Sequence, residues 1–173
     1  TVNFGAAGAQ TVLNGAVFNN LTLSGSGVKT TTGVTLNGIL SMEGTATASA
    51  APTYGAAATL IYNTATARII TGTANNGIEW RTPFAGTGGV VIANTGAITV
   101  NTARTIAATS KVTVKGGATL TIATGITLTI SATAGLNLEN GATGSTVSSA
   151  GTGTISLGGD VFVTTVGVGT TAA

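Results

Sequence analysis

Short segments in which apolar and polar residues alternate recur along the whole chain. Examples are Leu21-Thr22-Leu23, Ile98-Thr99-Val100, Val112-Thr113-Val114, Leu120-Thr121-Ile122 and Leu128-Thr129-Ile130. A period of two residues places alternate side chains on opposite faces of a strand, one face buried and the other in water. The pattern therefore predicts an all-β protein made of many short strands, with almost no helix.

The spacing of these segments carries more information than their composition. Between residues 90 and 138 the last apolar residue of successive segments recurs at steps of about eight, and turns rich in Gly, Asn or Ala-Thr lie between them. Three such strands form a coil of about 22–24 residues, which is a repeat length known for solenoids. We therefore predict a parallel β-solenoid (β-helix), right-handed because parallel crossovers almost always have this hand.

A β-sandwich is the alternative fold. Pairs such as Asn14-Gly15, Asn37-Gly38, Asn76-Gly77 and Asn140-Gly141 suit the tight hairpins that a sandwich needs. Two features favour the solenoid: the nearly constant step, and inward positions that are uniformly medium-sized aliphatic residues. Aromatic residues make up only 4% of the chain, whereas a sandwich core normally contains larger and more varied side chains.

Residues 49–89 interrupt the regular spacing. This region contains the only Trp, both Tyr and both Pro of the chain. Strands resume at once on both sides of it, so we expect one solenoid segment over residues 1–173, with an irregular coil or insertion at about 49–89.

Charge and composition exclude several classes of protein. Charged residues make up 6% of the chain, its formal net charge is +2, and Lys111 and Lys115 are the closest pair of cations. Nucleic-acid binding requires clustered cations, so we do not expect this chain to bind nucleic acid. The chain has no Cys and no apolar run of about 18 residues, so we expect neither disulfides nor insertion into a membrane. The chain begins Thr1-Val2-Asn3 without a basic or apolar targeting pattern, so we expect an internal piece of a longer protein.

Two stretches resemble a known class of protein. Residues 11–44 include FNNLTLSGSG and VTLNGIL, and residues 60–84 read LIYNTATARIITGTANNGIEWRTPF. They resemble very large β-strand-repeat surface proteins of Bacteroidetes, which are often secreted by the type IX system. The resemblance covers most of the chain. It implies an extracellular adhesin, filament or spacer, in some cases connected with gliding, and it implies no catalytic residues, cofactor or metal.

Enzymatic chemistry has little support in the sequence. The chain lacks His and Cys, and its four carboxylates are well separated, at positions 43, 79, 139 and 160. Polysaccharide lyases and hydrolases are frequent on β-solenoids, and glycoside hydrolysis needs two carboxylates about 5–10 Å apart. Glu139 and Asp160 are separated by close to one predicted coil, so they are the pair of carboxylates that stacking could bring together for such catalysis.

A calcium site has equally little support. Asp160 follows a Gly-Gly pair, but a calcium-binding repeat needs several such acidic turns. We expect no enzyme, no cofactor and no metal site.

One group of residues suggests a binding surface. The large or charged side chains of the irregular region are Tyr54, Tyr62, Glu79, Trp80, Arg81 and Phe84. Aromatic platforms beside polar groups are suited to binding sugars, but the same side chains also fill an irregular coil and cover its edge, which is the interpretation we favour. The expected function is therefore a structural rod that stacks end to end with other copies or neighbouring segments. The alternative is a module that binds a surface glycan or another protein.

Overall fold

The computed structural model describes residues 1–131, 133, 135–141 and 143–165, and these form strands and turns with no helix. The strands, in chain order, are β1 (Val2–Phe4), β2 (Gln10–Thr11), β3 (Val17–Phe18), β4 (Leu21–Leu23), β5 (Val28–Thr30), β6 (Thr35–Leu36), β7 (Ile39–Met42), β8 (Thr47–Ala48), β9 (Thr53–Tyr54), β10 (Thr59–Asn63), β11 (Arg68–Ile70), β12 (Gly89–Ala93), β13 (Ile98–Val100), β14 (Arg104–Ile106), β15 (Val112–Val114), β16 (Thr119–Ile122), β17 (Thr127–Ile130), β18 (Leu136–Asn140), β19 (Thr146–Ser149), β20 (Thr154–Leu157) and β21 (Val161–Thr165).

These strands form five parallel sheets, and successive strands of each sheet come from successive coils. Sheet A runs through every coil in the order β1-β4-β7-β10-β12-β15-β18-β21. The other sides are sheet B (β2-β5-β8), sheet C (β3-β6-β9), sheet D (β11-β13-β16-β19) and sheet E (β14-β17-β20). This is the architecture of a parallel β-solenoid, so the predicted fold class is confirmed and a β-sandwich is excluded.

The coils differ in length along the chain. Residues in one inward column of sheet A stand at positions 2, 21, 40, 60, 90, 112, 136 and 161, so the coils contain 19, 19, 20, 30, 22, 24 and 25 residues. The predicted coil length of 22–24 residues is correct for the coils that begin at Val90 and Val112. It is wrong for the first three, because the step was taken from residues 90–138 alone.

Tighter corners explain the shorter coils. Only Asn37 and Gly38 separate β6 from β7, whereas residues 131–135 separate β17 from β18 on the corresponding side of a later coil. A Cβ atom at Gly38 would lie 2.5 Å from the backbone oxygen of Asn19 in the preceding coil. The two-residue corner therefore depends on a residue without a side chain.

Aliphatic side chains stacked in columns form the core. The two inward columns of sheet A are Leu21, Leu40, Leu60, Val90, Val112 and Leu136 in one, and Leu23, Met42, Tyr62, Ile92 and Val114 in the other. All of these side chains are buried. Each aliphatic member contributes about 1.5–3 kcal/mol by leaving water, so the columns hold the coils together.

The 30-residue coil from Leu60 to Val90 joins two stretches of solenoid, and we call it the junction coil. Sheets B and C end before it at β8 and β9, and sheets D and E begin at β11 and β14. Only sheet A continues through it. Residues 71–88, within the predicted irregular region, contain turns and isolated bridges but no strand.

Candidate functional site

The junction coil brings together the polar and aromatic side chains that the aliphatic columns lack. Tyr54 comes from β9, Tyr62 from β10 and Arg68 from β11. The other members of this junction cluster are Glu79, Trp80, Arg81 and Phe84 from the irregular segment and Arg104 from β14. Because the strand ladders change partners here, the interior has to be filled by large side chains rather than by a regular column.

A buried carboxyl group lies at the centre of this cluster. Glu79 is 1% exposed. Its Oε1 atom accepts a hydrogen bond from the Tyr62 hydroxyl at 3.0 Å, and its backbone oxygen accepts one from the Tyr54 hydroxyl at 2.9 Å. The ring of Trp80 packs against Tyr62 with centroids 6.0 Å apart. The two tyrosines therefore hold the carboxyl group and the irregular segment in place.

Burial dominates the electrostatics of these groups. It raises the pKa of the Glu79 carboxyl above its usual value, although a backbone hydrogen bond, the Tyr62 hydroxyl and the charges of Arg68 and Arg104 act in the opposite direction. Burial, together with the charge of Glu79, also raises the pKa of Tyr54 and Tyr62 well above the ordinary value. Both phenols therefore remain hydrogen-bond donors near neutral pH.

Two arginines lie around this carboxyl group in different ways. Arg68 donates to three backbone oxygens: Nη1 to Ala46 at 2.7 Å, and Nη2 to Gly44 at 2.8 Å and Glu43 at 3.2 Å. Arg104 is 5% exposed. Burial lowers the pKa of both guanidinium groups, but arginine starts from so high a value that both remain charged.

The interior of the junction is not saturated with hydrogen bonds. Over the described part of the chain, the buried side-chain polar atoms without a partner are Arg68 Nε, Glu79 Oε2, Trp80 Nε1, Arg104 Nε and Arg104 Nη2. All five belong to the junction cluster. Buried polar atoms normally have a partner, so this concentration distinguishes the junction from the regular coils.

A surface cleft opens beside the cluster, between β9 and the irregular segment. It encloses about 260 Å³ and is lined by residues 53–56 on one side and 81–86 on the other. Phe84 forms a parallel bridge to Ile106 of β14, and β9 is the last strand of sheet C. The cleft is therefore a gap where the strand ladder passes from one stretch of solenoid to the next.

The structure divides the six predicted binding residues into two groups. Tyr54, Arg81 and Phe84 line the cleft, although only Tyr54 and Arg81 have appreciable exposed surface, since Phe84 is 1% exposed. Tyr62, Glu79 and Trp80 lie in the interior with at most 1% of their surface exposed. Trp80 and Tyr62 therefore have no exposed ring face for a sugar, and the Glu79 side chain is almost wholly removed from the solvent.

The two carboxylates that the sequence suggested as a pair are separated by the strand register. Glu139 lies opposite Thr164, and Asp160 precedes β21, where its backbone oxygen accepts from Leu136 N at 3.2 Å. They differ by about four strand positions, or roughly 13 Å along the strand, because the coil contains 25 residues rather than 21. Glu139 instead forms an ion pair with Lys115 at 2.9 Å.

Sequence reasoning missed the buried cations. Lys29 and Arg104 are buried and Arg68 is half-buried, but the sequence analysis assigned none of them to the interior. A signal was present, since Arg68 shares its strand face with the buried Ile70, and Arg104 shares its face with the buried Ile106. A period of two applied to charged as well as apolar residues would have placed both arginines inside.

Two further features bear on function. No three His, Cys, Asp or Glu side chains within the described ranges approach closely enough to hold a metal ion. The structure contains no helix long and apolar enough to cross a membrane in the part of the chain that it describes.

Comparisons with known proteins gave no match: no family model matches the sequence, and neither a curated protein nor a solved structure shows significant similarity.

Proposed function

We propose that this chain is a structural segment of a secreted bacterial surface adhesin or extracellular filament, in which it acts as a mechanical rod or spacer. The observation that carries the proposal is the continuity of sheet A, whose eight parallel strands run from the first described coil to the last. Seven intervals of about 4.8 Å give a rigid length of roughly 34 Å. A backbone ladder of this kind holds its length without a ligand or metal.

The outer surface is suited to this role. Outward hydroxyl groups of neighbouring coils bond to one another, as between Thr121 and Ser148 at 3.0 Å and between Thr127 and Thr154 at 2.9 Å. Such pairs keep the surface hydrated without using charge. A nearly uncharged surface makes the rod insensitive to salt.

The two end coils supply surfaces for stacking. In one inward column of sheet A, Val2 is 44% exposed and Val161 is 48% exposed, whereas Leu21 and Leu136 next to them are at most 5% exposed. Exposed strand edges beside apolar side chains favour pairing with another chain or segment. The proposed partners are therefore other copies or neighbouring segments of the same protein, stacked end to end.

The test is the response of single molecules to force. With the chain held by both ends in an optical trap, we expect stepwise unfolding in which one coil is released at a time. A coil of 19–25 residues releases about 60–90 Å of chain, and the junction coil releases about 100 Å. Extension without discrete force peaks would contradict a mechanical role.

Electron microscopy of the same material tests the stacking. Long uniform fibres would show that copies join through their end coils. Discrete particles would restrict the stacking to neighbouring segments within one chain, and the mechanical proposal would then rest on the force measurement alone.

A further inference from the structure

We propose that the cleft between β9 and residues 81–86 binds a sugar unit that carries a carboxylate, as part of an acidic polysaccharide. This binding function is additional to the rod role and independent of it. Three observations support it: an exposed and uncompensated arginine, the location of the net charge, and the half-buried ring of Tyr54.

Arg81 is the only charged residue that lines the cleft. Its side chain is exposed, and Nη1 makes a long hydrogen bond of 3.3 Å to the backbone oxygen of Pro52. No carboxylate of the described residues lies within ion-pair distance of it. A guanidinium group in this state has donors free for a carboxylate or sulfate, which it binds with two parallel hydrogen bonds.

The net charge of the chain is concentrated at this place. The junction cluster holds three cations and one anion, Arg68, Arg81 and Arg104 against Glu79, which gives +2. Everywhere else the charges cancel, because Lys29, Lys111 and Lys115 are balanced by Glu43, Glu139 and Asp160. The cluster therefore accounts for the whole formal charge of +2 and attracts anions to the cleft.

The remaining lining suits a ring rather than an extended peptide. The half-buried ring of Tyr54 forms an apolar wall of the cleft and packs on the buried ring of Phe84 with centroids 5.0 Å apart. The hydrogen bond from the Tyr54 hydroxyl to the backbone oxygen of Glu79 fixes the orientation of the Tyr54 ring. Thr53 and Thr82 add hydroxyl groups. A hydrogen bond of 2.8 Å from Thr87 N to Ala56 O joins the chain just beyond the two walls, so the backbone oxygen of Ala56 already has a partner and is less suited to pairing with an added peptide strand.

The test uses matched ligands and matched variants. The ligands are polygalacturonate and the same polymer fully methyl-esterified, which share a backbone and differ in that each carboxylate is replaced by an uncharged methyl ester. The variants are Arg81→Gln and Lys111→Gln, both on exposed side chains, and each lowers the formal net charge from +2 to +1. A loss confined to Arg81→Gln therefore reports the cleft and not the overall charge.

Isothermal titration calorimetry at about 0.15 M salt provides the measurement. We expect the wild-type chain to bind polygalacturonate and not its ester. Arg81→Gln should weaken binding by about tenfold or more, and Lys111→Gln by less than about twofold. Unchanged thermal melting of both variants verifies that the fold is intact.

Four outcomes would overturn the proposal. They are no binding of polygalacturonate by the wild-type chain, equal weakening by the two substitutions, equal binding of the esterified polymer, and equal binding of polyglutamate, which would indicate an acidic peptide. None of them affects the rod proposal, since neither substitution touches the strand ladders.

Discussion

Two regions of this solenoid bury positive charge, and they do so in different ways. In the second coil the ammonium group of Lys29 is fully buried and donates to four oxygens within 3.0 Å, which belong to Ala6, Gly8, Gln10 and Ser26. In the junction cluster, Arg104 and Glu79 are also buried but retain atoms without partners. The first charge is saturated by corner carbonyls, whereas the second region is left with unused hydrogen-bonding capacity.

The difference follows from where the charges lie in the strand columns. Lys29 lies within the regular stack of sheet B, between Gln10 and Ala48. Arg104 stands at the start of a column that continues with Leu128 and Ile155. Lys29 meets the carbonyls of neighbouring corners, and Arg68, although it begins a column of sheet D, also reaches the corner carbonyls of the preceding regular coil. Arg104 meets the irregular junction instead. Saturation therefore depends on contact with the corner carbonyls of a regular coil.

Replacing Lys29 by Met should have the largest effect on stability. The substitution keeps the length of the side chain but removes the donor from four oxygens at once, and buried acceptors without partners cost about 1–3 kcal/mol each when no water replaces the donor. Because the corner carries Ala6 and Gly8, which are exposed, water recovers part of this. We expect a loss of about 3 kcal/mol in the free energy of unfolding, measured by urea denaturation.

The matched control is Lys111→Met, which removes an exposed ammonium group. It should change stability by less than about 0.5 kcal/mol. Equal effects of the two substitutions would show that Lys29 acts only through net charge and would remove the contrast between the two regions.

Protonation of Glu79 should give a smaller effect that depends on pH. The pKa of Glu79 is raised in the folded chain. At a pH between the ordinary pKa of about 4.3 and the folded pKa, the folded state therefore holds a proton that the unfolded state has lost. The free energy of unfolding should therefore fall as pH rises through this window and level off above the folded pKa. The chain has neither His nor Cys, which leaves the window almost free of other titrations.

Urea denaturation from about pH 4.5 to about pH 7.5 measures this dependence in the wild-type chain and in Glu79→Gln. The variant should be nearly independent of pH across the upper part of the range. A wild-type stability that stays level or rises with pH would contradict a raised pKa for the buried Glu79 carboxyl.

The regular coils and the junction also differ in how well the sequence predicts them. Alternation in segments such as Val112-Thr113-Val114 was enough to give strands, their inward faces and the parallel stack, because each residue in a regular coil obeys a period of two. Coil length was less predictable. It depends on corner geometry such as the two-residue turn at Asn37-Gly38, and the apolar pattern does not encode it.

The candidate site was predictable only as a region. The aromatic and charged composition of residues 54–84 marked the junction, but composition does not show which side chains face inward. Burial of Trp80 and exposure of Arg81, neighbours in sequence, depend on the path of an irregular segment that has no period. The buried carboxyl group of Glu79 follows from the same path.

Replacing Arg104 by Leu should have the smallest effect, and its sign distinguishes the two regions most directly. Leu continues the column of Leu128 and Ile155 and removes a buried charge whose Nε and Nη2 have no partners. Replacement of poorly compensated buried charge by apolar groups is often neutral or stabilising. We therefore expect the free energy of unfolding, measured by urea denaturation, to stay the same or to rise by about 1 kcal/mol.

Arg68→Leu is the control, because it removes the donors from three backbone oxygens and should destabilise the chain by about 2 kcal/mol. If Arg104→Leu destabilises the chain as much as Arg68→Leu does, the junction is as fully saturated as the corner around Lys29. The unused hydrogen-bonding capacity would then not be a property that sets the junction apart.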